Sequence, residues 1–198
     1  MSDTDMKGLE IRALDPEDGR AISDAVDVLS VLGEEYMPIE KLLHHVIHHV
    51  VMGAFHRNVL IGVVVAHALN SQDFETLERR MGTERLASLS LLREEKTGTV
   101  DALAVKESCR RMGKGQGPGI GSRLLAEAVS RLKDSGCHLF FAESWVSGSG
   151  DESKNMGARL GGELQLEVPG YWNSDGVYCP VCDSTDCQCT ALIFVKTL

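Results

Sequence analysis

The chain has 198 residues, a net charge of −9 and a pI of about 5.2. That length suits one domain, residues 1–198, with a full-sized core. The acidity speaks against a nucleic-acid partner, which needs a basic stripe. No apolar run approaches the roughly eighteen residues of a membrane span. The opening Met-Ser-Asp-Thr-Asp lacks the basic and apolar regions of a signal peptide, so the cytoplasm is the expected compartment.

Residues 1–7 are expected to be loose. Leu9 to Leu14 alternates as a first strand. Asp15-Pro16-Glu17-Asp18 predicts a helix start, with Asp15 as cap and Pro16 at the first helical position. Ile22, Val26, Leu29 and Leu32 give that helix its apolar face, and Gly33 stops it. A second helix is predicted from Pro38 to about Ile47, with Leu43, Val46 and Ile47 inward. His44 and His45 fall on its outer face, with His48 and His49 close behind. If the helix ran on, 44/48 and 45/49 would be two metal-capable pairs; otherwise they form a polar face or line a pocket. Val50 to Arg57 and Val59 to Leu69 read as a hairpin turning at Asn58. In residues 71–96, Phe74, Leu77 and Met81 form one helical stripe and Leu86, Leu89 and Leu92 another, broken near Gly82.

Thr99 to Val105 has the β-branched and apolar content of a buried strand. Every second residue from Gly113 to Gly121 is glycine, and Ser122 to Leu132 then turns helical, with Leu124, Leu125, Val129 and Leu132 on one face. Glycines let backbone approach a ligand closely. A helix start presents free N–H groups and about half a positive charge. The segment therefore reads as an anion cradle suited to a pyrophosphate; the plain alternative is a glycine-rich surface loop. The P-loop pattern fails, because residue 108 is not glycine and residue 115 is neither Ser nor Thr. The dinucleotide pattern fails too, because the spacing is G-x-G-x-G.

What fits is Gln116-Gly117-Pro118-Gly119-Ile120-Gly121, followed by Ser122. It resembles the acetyl-CoA signature Q/R-x-x-G-x-G/A of the GNAT-type N-acetyltransferases, and Leu103-Ala104-Val105 resembles their central strand. Arg110 to Gly115 also satisfies the pattern, but only the later match adjoins the helix. Arg110, Arg111 and Lys114 would then pair with the coenzyme's 3′-phosphate or simply be solvated. Cys137 to Trp145, Glu163 to Val168 and Thr190 to Leu198 complete the strands, with a loop at 148–151 and a short helix from Glu152 to Leu160. The resulting order, β-α-α-β-β-(insert)-β-α-β-α-β-β, is the order of that family. The implied fold is α/β: a mixed central sheet of about six to seven strands with flanking helices, splayed between the fourth and fifth strands. Residues 71–96 depart from it as a helical insertion, read as extra core, a homodimer contact or a lid.

Cysteines crowd into 179–189: Cys179-Pro-Val-Cys182, then Cys187-Gln-Cys189. Cys-Pro-x-Cys has the shape of a zinc knuckle. Reduced thiols favour a structural zinc held by Cys179, Cys182, Cys187 and Cys189, with disulfides or free thiols as the other readings. Cys109 and Cys137 read as ordinary thiols.

The resemblance implies acetyl transfer from acetyl-CoA to a primary amine, on a small molecule or a protein. It makes Leu103, Ala104 and Val105 the source of a backbone donor to the thioester carbonyl. It gives Gln116 to Gly121 the pyrophosphate, and Asn155 a contact with the coenzyme. Many relatives carry a tyrosine on the last helix that protonates the leaving thiolate; here that position is Gly157, and Tyr171 is the substitute. Glu143 is the first candidate for base, with Asp101 and His67 in reserve. The missing tyrosine also motivates a rival reading, a coenzyme-binding regulatory module without turnover.

Overall fold

The computed structural model describes residues 8–32, 36–110, 119–146, 156–173, 176, 179 and 182–198. The predicted stop at Gly33 and the loop at 148–151 fall outside them. The strands are β1 (Leu9–Ala13), β2 (Val50–His56), β3 (Val59–Ala68), β4 (Thr97–Val105), β5 (Leu139–Val146), β6 (Glu163–Pro169) and β7 (Thr190–Thr197). They form one seven-stranded mixed sheet of order β1-β2-β3-β4-β5-β7-β6. The helices are α1 (Gly19–Leu29), α2 (Ile39–His48), α3 (Ser71–Met81), α4 (Thr83–Ala87), α5 (Leu91–Glu94), α6 (Ile120–Asp134) and α7 (Met156–Arg159). None is long and apolar enough to cross a membrane.

Two compact units divide the chain, and β4 contributes to both. The first comprises Met1–His67 and Val100–Ser135. Its α1 starts later than Asp15 and Pro16 predict. Asp15 closes a turn, its carboxylate accepting from Glu17 N at 2.9 Å, and Asp18 becomes the cap, accepting from Ala21 N at 3.0 Å. Ile22, Ala25, Val28 and Leu29 form the buried face, while Leu32 sits exposed in a 3₁₀ turn. On α2, Leu42 and His45 are buried, Leu43 and Val46 pack partly buried against the core as predicted, and Ile47, predicted inward, is 61% exposed. The β2–β3 hairpin turns on Arg57 and Asn58, both with positive φ (51° and 64°), as a tight two-residue turn requires.

The second unit comprises Ala68–Thr99 and Gly136–Leu198. Asn70 and Asp73 make a reciprocal capping box on α3, and Gly82 takes φ +85° between α3 and α4. Leu77, Met81, Leu86, Leu89 and Leu92 are buried in one cluster with Phe141, Val168, Tyr171 and Ile193. The inserted segment therefore supplies core to this unit.

β7 pairs antiparallel with β5 over the full length of each, from Leu139↔Thr197 to Val146↔Thr190. By contrast β4 and β5 pair in parallel only over Thr97–Thr99 and Leu139–Phe141, although β4 runs on to Val105 and β5 to Val146. This is the splay between the fourth and fifth strands.

Candidate active site

In the first unit, β4 ends beside the start of α6. Gly119 caps the helix with extended backbone and no side-chain hydrogen bond, and a helix start of this kind favours an anion. A Cβ on Gly121 would stand 3.8 Å from Val105 Cγ2 and 3.9 Å from Leu103 Cδ2. The helix start thus lies directly on the end of the strand. On β3, a Cβ at Gly62 would meet Leu124 at 3.0 Å and the Ala104 carbonyl at 3.2 Å, so only glycine allows this close approach. Arg110 folds back, its Nε donating to the Val105 carbonyl at 3.2 Å. Leu103, Ala104, Val105, Gly119, Ile120, Gly121 and Ser122 are therefore brought together. Gln116, Gly117 and Pro118 lie outside the described residues, as do Arg111, Lys114 and Asn155.

A cluster of imidazoles belongs to the same unit. His45 is 8% exposed, and its Nε2 stands 3.8 Å from Asp101 Oδ2. Its ring lies 5.1 Å from that of His49 and 6.3 Å from that of His67, with His49 and His67 at 5.4 Å. Burial lowers His45 to about 4; Asp101 opposes that shift, and His49, Lys41 and His67 add to it. At neutral pH the contact with Asp101 is one between a carboxylate and an uncharged ring. α2 ends at His48, so it holds 44/48 but His49 lies outside it, and 45/49 is not a second i,i+4 pair on a continuous helix. Among the described residues, the only group suited to a metal is the cysteine cluster.

In the second unit, Glu143 on β5 is held from two sides. Tyr171 donates its hydroxyl to Oε1, and Arg80 Nη1 on α3 lies 3.3 Å from Oε2. Tyr171 is fully buried, with the Arg80 guanidinium 5.4 Å from its ring centre. Burial, and then the Glu143 carboxylate, push its phenol well above the ordinary range, so it stays protonated. Glu143 and Arg80 each keep 22% of their side-chain surface exposed, which leaves the carboxylate within reach of a small ligand.

Gly157, where relatives carry a tyrosine, sits against β7. A Cβ there would fall 2.2 Å from Phe194 Cδ2, so no side chain fits without moving that ring.

The four clustered cysteines are gathered as well. Their sulfurs all lie within 4.8 Å of one another, and none is in a disulfide. Cys182 and Cys189 approach to 3.4 Å, and Cys179 and Cys189 to 4.0 Å. Four ligands at the ~2.3 Å zinc–sulfur distance in a tetrahedron would stand about 3.8 Å apart; a disulfide needs about 2.05 Å. Gln188 N donates to Cys182 Sγ at 3.4 Å, and Asp183 takes φ +52° in the turn before it. Cys179, Cys187 and Cys189 are buried, with Trp145 and Trp172 packed on them.

Several contributors carry no distinctive sequence signal. Arg80 looks like its neighbour Arg79 on a charged helix, and only the α3 stripe through Leu77 and Met81 gives its direction. His45 is assigned to the outer face because Ile47 is taken as core. Trp145 and Trp172 read only as large apolar residues.

The sequence profile described as "Acetyltransferase (GNAT) family" matches residues 27–161, more than half of the chain. No curated protein sequence matches it significantly. Solved structures do. The NatC complex bound to Gag peptide and CoA is 14% identical with a TM-score of 0.63, over 96% of this chain and 98% of that one. An agmatine N-acetyltransferase mutant is 18% identical with a TM-score of 0.60, over 96% and 100%. The aminoglycoside 6'-N-acetyltransferase from Enterococcus faecium is 13% identical with a TM-score of 0.62, over 95% and 96%. At these identities the likeness speaks for the fold, and the profile match speaks for the family: the chain belongs to the GNAT family of acetyltransferases.

Proposed function

We propose that the protein transfers acetyl from acetyl-CoA to a primary amine by direct attack. The single observation that carries this reading is the contact of Gly121, at the start of α6, with Leu103 and Val105 at the end of β4. An anion at that helix start would bring an attached thioester alongside the strand's backbone donors. The pyrophosphate is assigned to residues 116–121, with Ser122, and a coenzyme contact to Asn155.

At neutral pH, an amine with a pKa of about 10.4 must first lose a proton, at a cost of roughly 4 to 5 kcal/mol. Glu143 is assigned as the acceptor of that proton. Tyr171 and Arg80 fix its two oxygens, so it is oriented before the amine arrives. Tyr171 reaches no solvent and acts through Glu143, as a positioning residue. Both oxygens of Glu143 are already engaged, by Tyr171 and Arg80, and that observation favours a second assignment. In it Asp101, beside neutral His45, takes the proton, while Glu143 holds the acceptor's charge.

The cysteine cluster is assigned a structural zinc ion; the sulfur spacing suits four thiolates around one ion better than a disulfide. The ion would cross-link the segment between β6 and β7, and no chemical step is assigned to it. The acceptor is an amine in each reading; agmatine and aminoglycosides, the amines named for the structural neighbours, are the first to try.

The test is calorimetric titration with acetyl-CoA, followed by thiol release across a panel of amines. Binding with turnover of at least one amine supports the proposal. Absence of acetyl-CoA binding overturns it, and binding without turnover on any amine points to the regulatory module.

A further inference from the structure

The cysteine cluster and the Glu143 pair share a wall. Trp172 packs on Cys179, Cys187 and Cys189, and its ring meets that of Tyr171 edge-on at 5.1 Å. Trp145 packs on the same cysteines, stands 5.6 Å from Trp172, and lies two residues beyond Glu143 on β5. The backbone makes a third link: Gly170 N, next to Tyr171, donates to the Cys189 carbonyl at 3.0 Å. Gly170 takes φ +64°, and a Cβ there would stand 3.6 Å from the Cys187 carbonyl. Tyr171 thus has Glu143 on its hydroxyl and the cysteine-bearing segment against its backbone and its neighbour's ring.

Among the described residues, the segment's secondary structure is an isolated bridge between Cys179 and Ser184, with hydrogen bonds of 2.8 and 3.4 Å. A cross-link through four sulfurs would add to that bridge and tie both ends of the segment to one point.

We infer that a thiolate-binding d¹⁰ cation, held by Cys179, Cys182, Cys187 and Cys189, sets the position of Tyr171 and, through it, of Glu143. Metal loading then governs the chemical step and not only the integrity of the chain. This rests on the assignment of Glu143 to the transfer reaction. The coupling runs through Trp172 and Trp145, which are the only two tryptophans of the sequence. Their emission therefore reports on the wall without any turnover.

The experiment uses the full chain, stripped with chelator under reductant and titrated with Zn²⁺ alone or Co²⁺ alone. The expected result is uptake of one ion, with the intense sulfur-to-cobalt charge-transfer absorption of a tetrathiolate site. Tryptophan emission shifts in step with uptake. Removing the ion lowers kcat for the best amine at least tenfold, leaves the acetyl-CoA dissociation constant within twofold and keeps the far-ultraviolet circular dichroism. Returning Zn²⁺ restores kcat. In Tyr171→Phe the emission shift persists, while kcat is already reduced and no longer follows the metal.

No stoichiometric uptake overturns the inference. So does uptake with unchanged emission, kcat that ignores removal, or loss of circular dichroism together with activity, which would make the ion a requirement for folding alone. If no amine turns over in either state but emission follows the ion, the positioning of Tyr171 is supported and the transferase assignment is what fails.

Discussion

Each unit holds one carboxylate that is a candidate base, and the two are held very differently. Glu143 has a donor on each oxygen, from Tyr171 and from Arg80. Asp101 meets His45 only at 3.8 Å, and that imidazole is neutral at pH 7. A carboxylate with a donor on each oxygen is held in one orientation; one that meets a neutral ring at 3.8 Å is less fixed in place. The contrast teaches that the base can be chosen only by measuring what each carboxylate contributes to the rate.

The largest effect should come from separating the two. If Glu143 takes the proton, Glu143→Gln lowers kcat about 10²- to 10⁴-fold and removes the acidic limb of the pH–rate profile. Asp101→Asn then changes rate less than about tenfold. If the magnitudes come out reversed in steady-state assays of both variants, Asp101 is the base and Glu143 holds the acceptor.

Restoring the tyrosine that relatives carry is the next test. Gly157→Tyr forces a side chain into the Phe194 ring, and should destabilise the fold by about 1–3 kcal/mol without raising turnover. Urea unfolding at matched pH measures the loss; an undiminished midpoint would mean that Phe194 moves aside freely.

The first unit should also be the more acid-sensitive of the two, through His45. Its folded pKa, about 4, lies below the unfolded value of 6.5. Its contribution is therefore complete above pH 6.5 and is lost as pH falls from 6.5 towards 4, because the unfolded chain binds the proton more readily. The size is about 1–3 kcal/mol, since the side chain is 10% exposed. Denaturant titrations at pH 7 and pH 4.5 should show that difference shrinking in His45→Gln.

The smallest effect belongs to the helix start. A methyl group at Gly121 finds ordinary contact distances to Val105 and Leu103. Gly121→Ala should change thermal stability by less than about 1 kcal/mol, in the stabilising direction. It should weaken acetyl-CoA binding severalfold in calorimetry, since the proposal needs backbone approach there.

The order of elements along the chain, the inserted helices, the hairpin turn at Arg57–Asn58 and the helix after the glycine run were legible because period and punctuation agree along those stretches. The face of α2 was legible at Leu43 and Val46 and not at its edge: Ile47 outranks His45 in hydropathy, yet His45 is buried, next to Asp101 of β4, and Ile47 is exposed. The start of α1 was misplaced for a local reason: Asp15 and Asp18 are both good caps, and Asp15 is used up in the preceding turn. At the candidate site, the four cysteines stand out by residue type and spacing, while Glu143 and Tyr171 could be named only through the resemblance to the family. Arg80 could not, because its partner is 63 residues away and nothing in the sequence records that distance.

The meeting of Gly157 with Phe194 bears on how such a chain can change. An acid at position 157 has to displace the Phe194 ring. Shrinking residue 194 would make room for it, and by itself would leave a cavity that a large residue at 157 could refill. The two positions are tied, so an enzyme built this way is steered towards proton donors drawn from elsewhere in its structure.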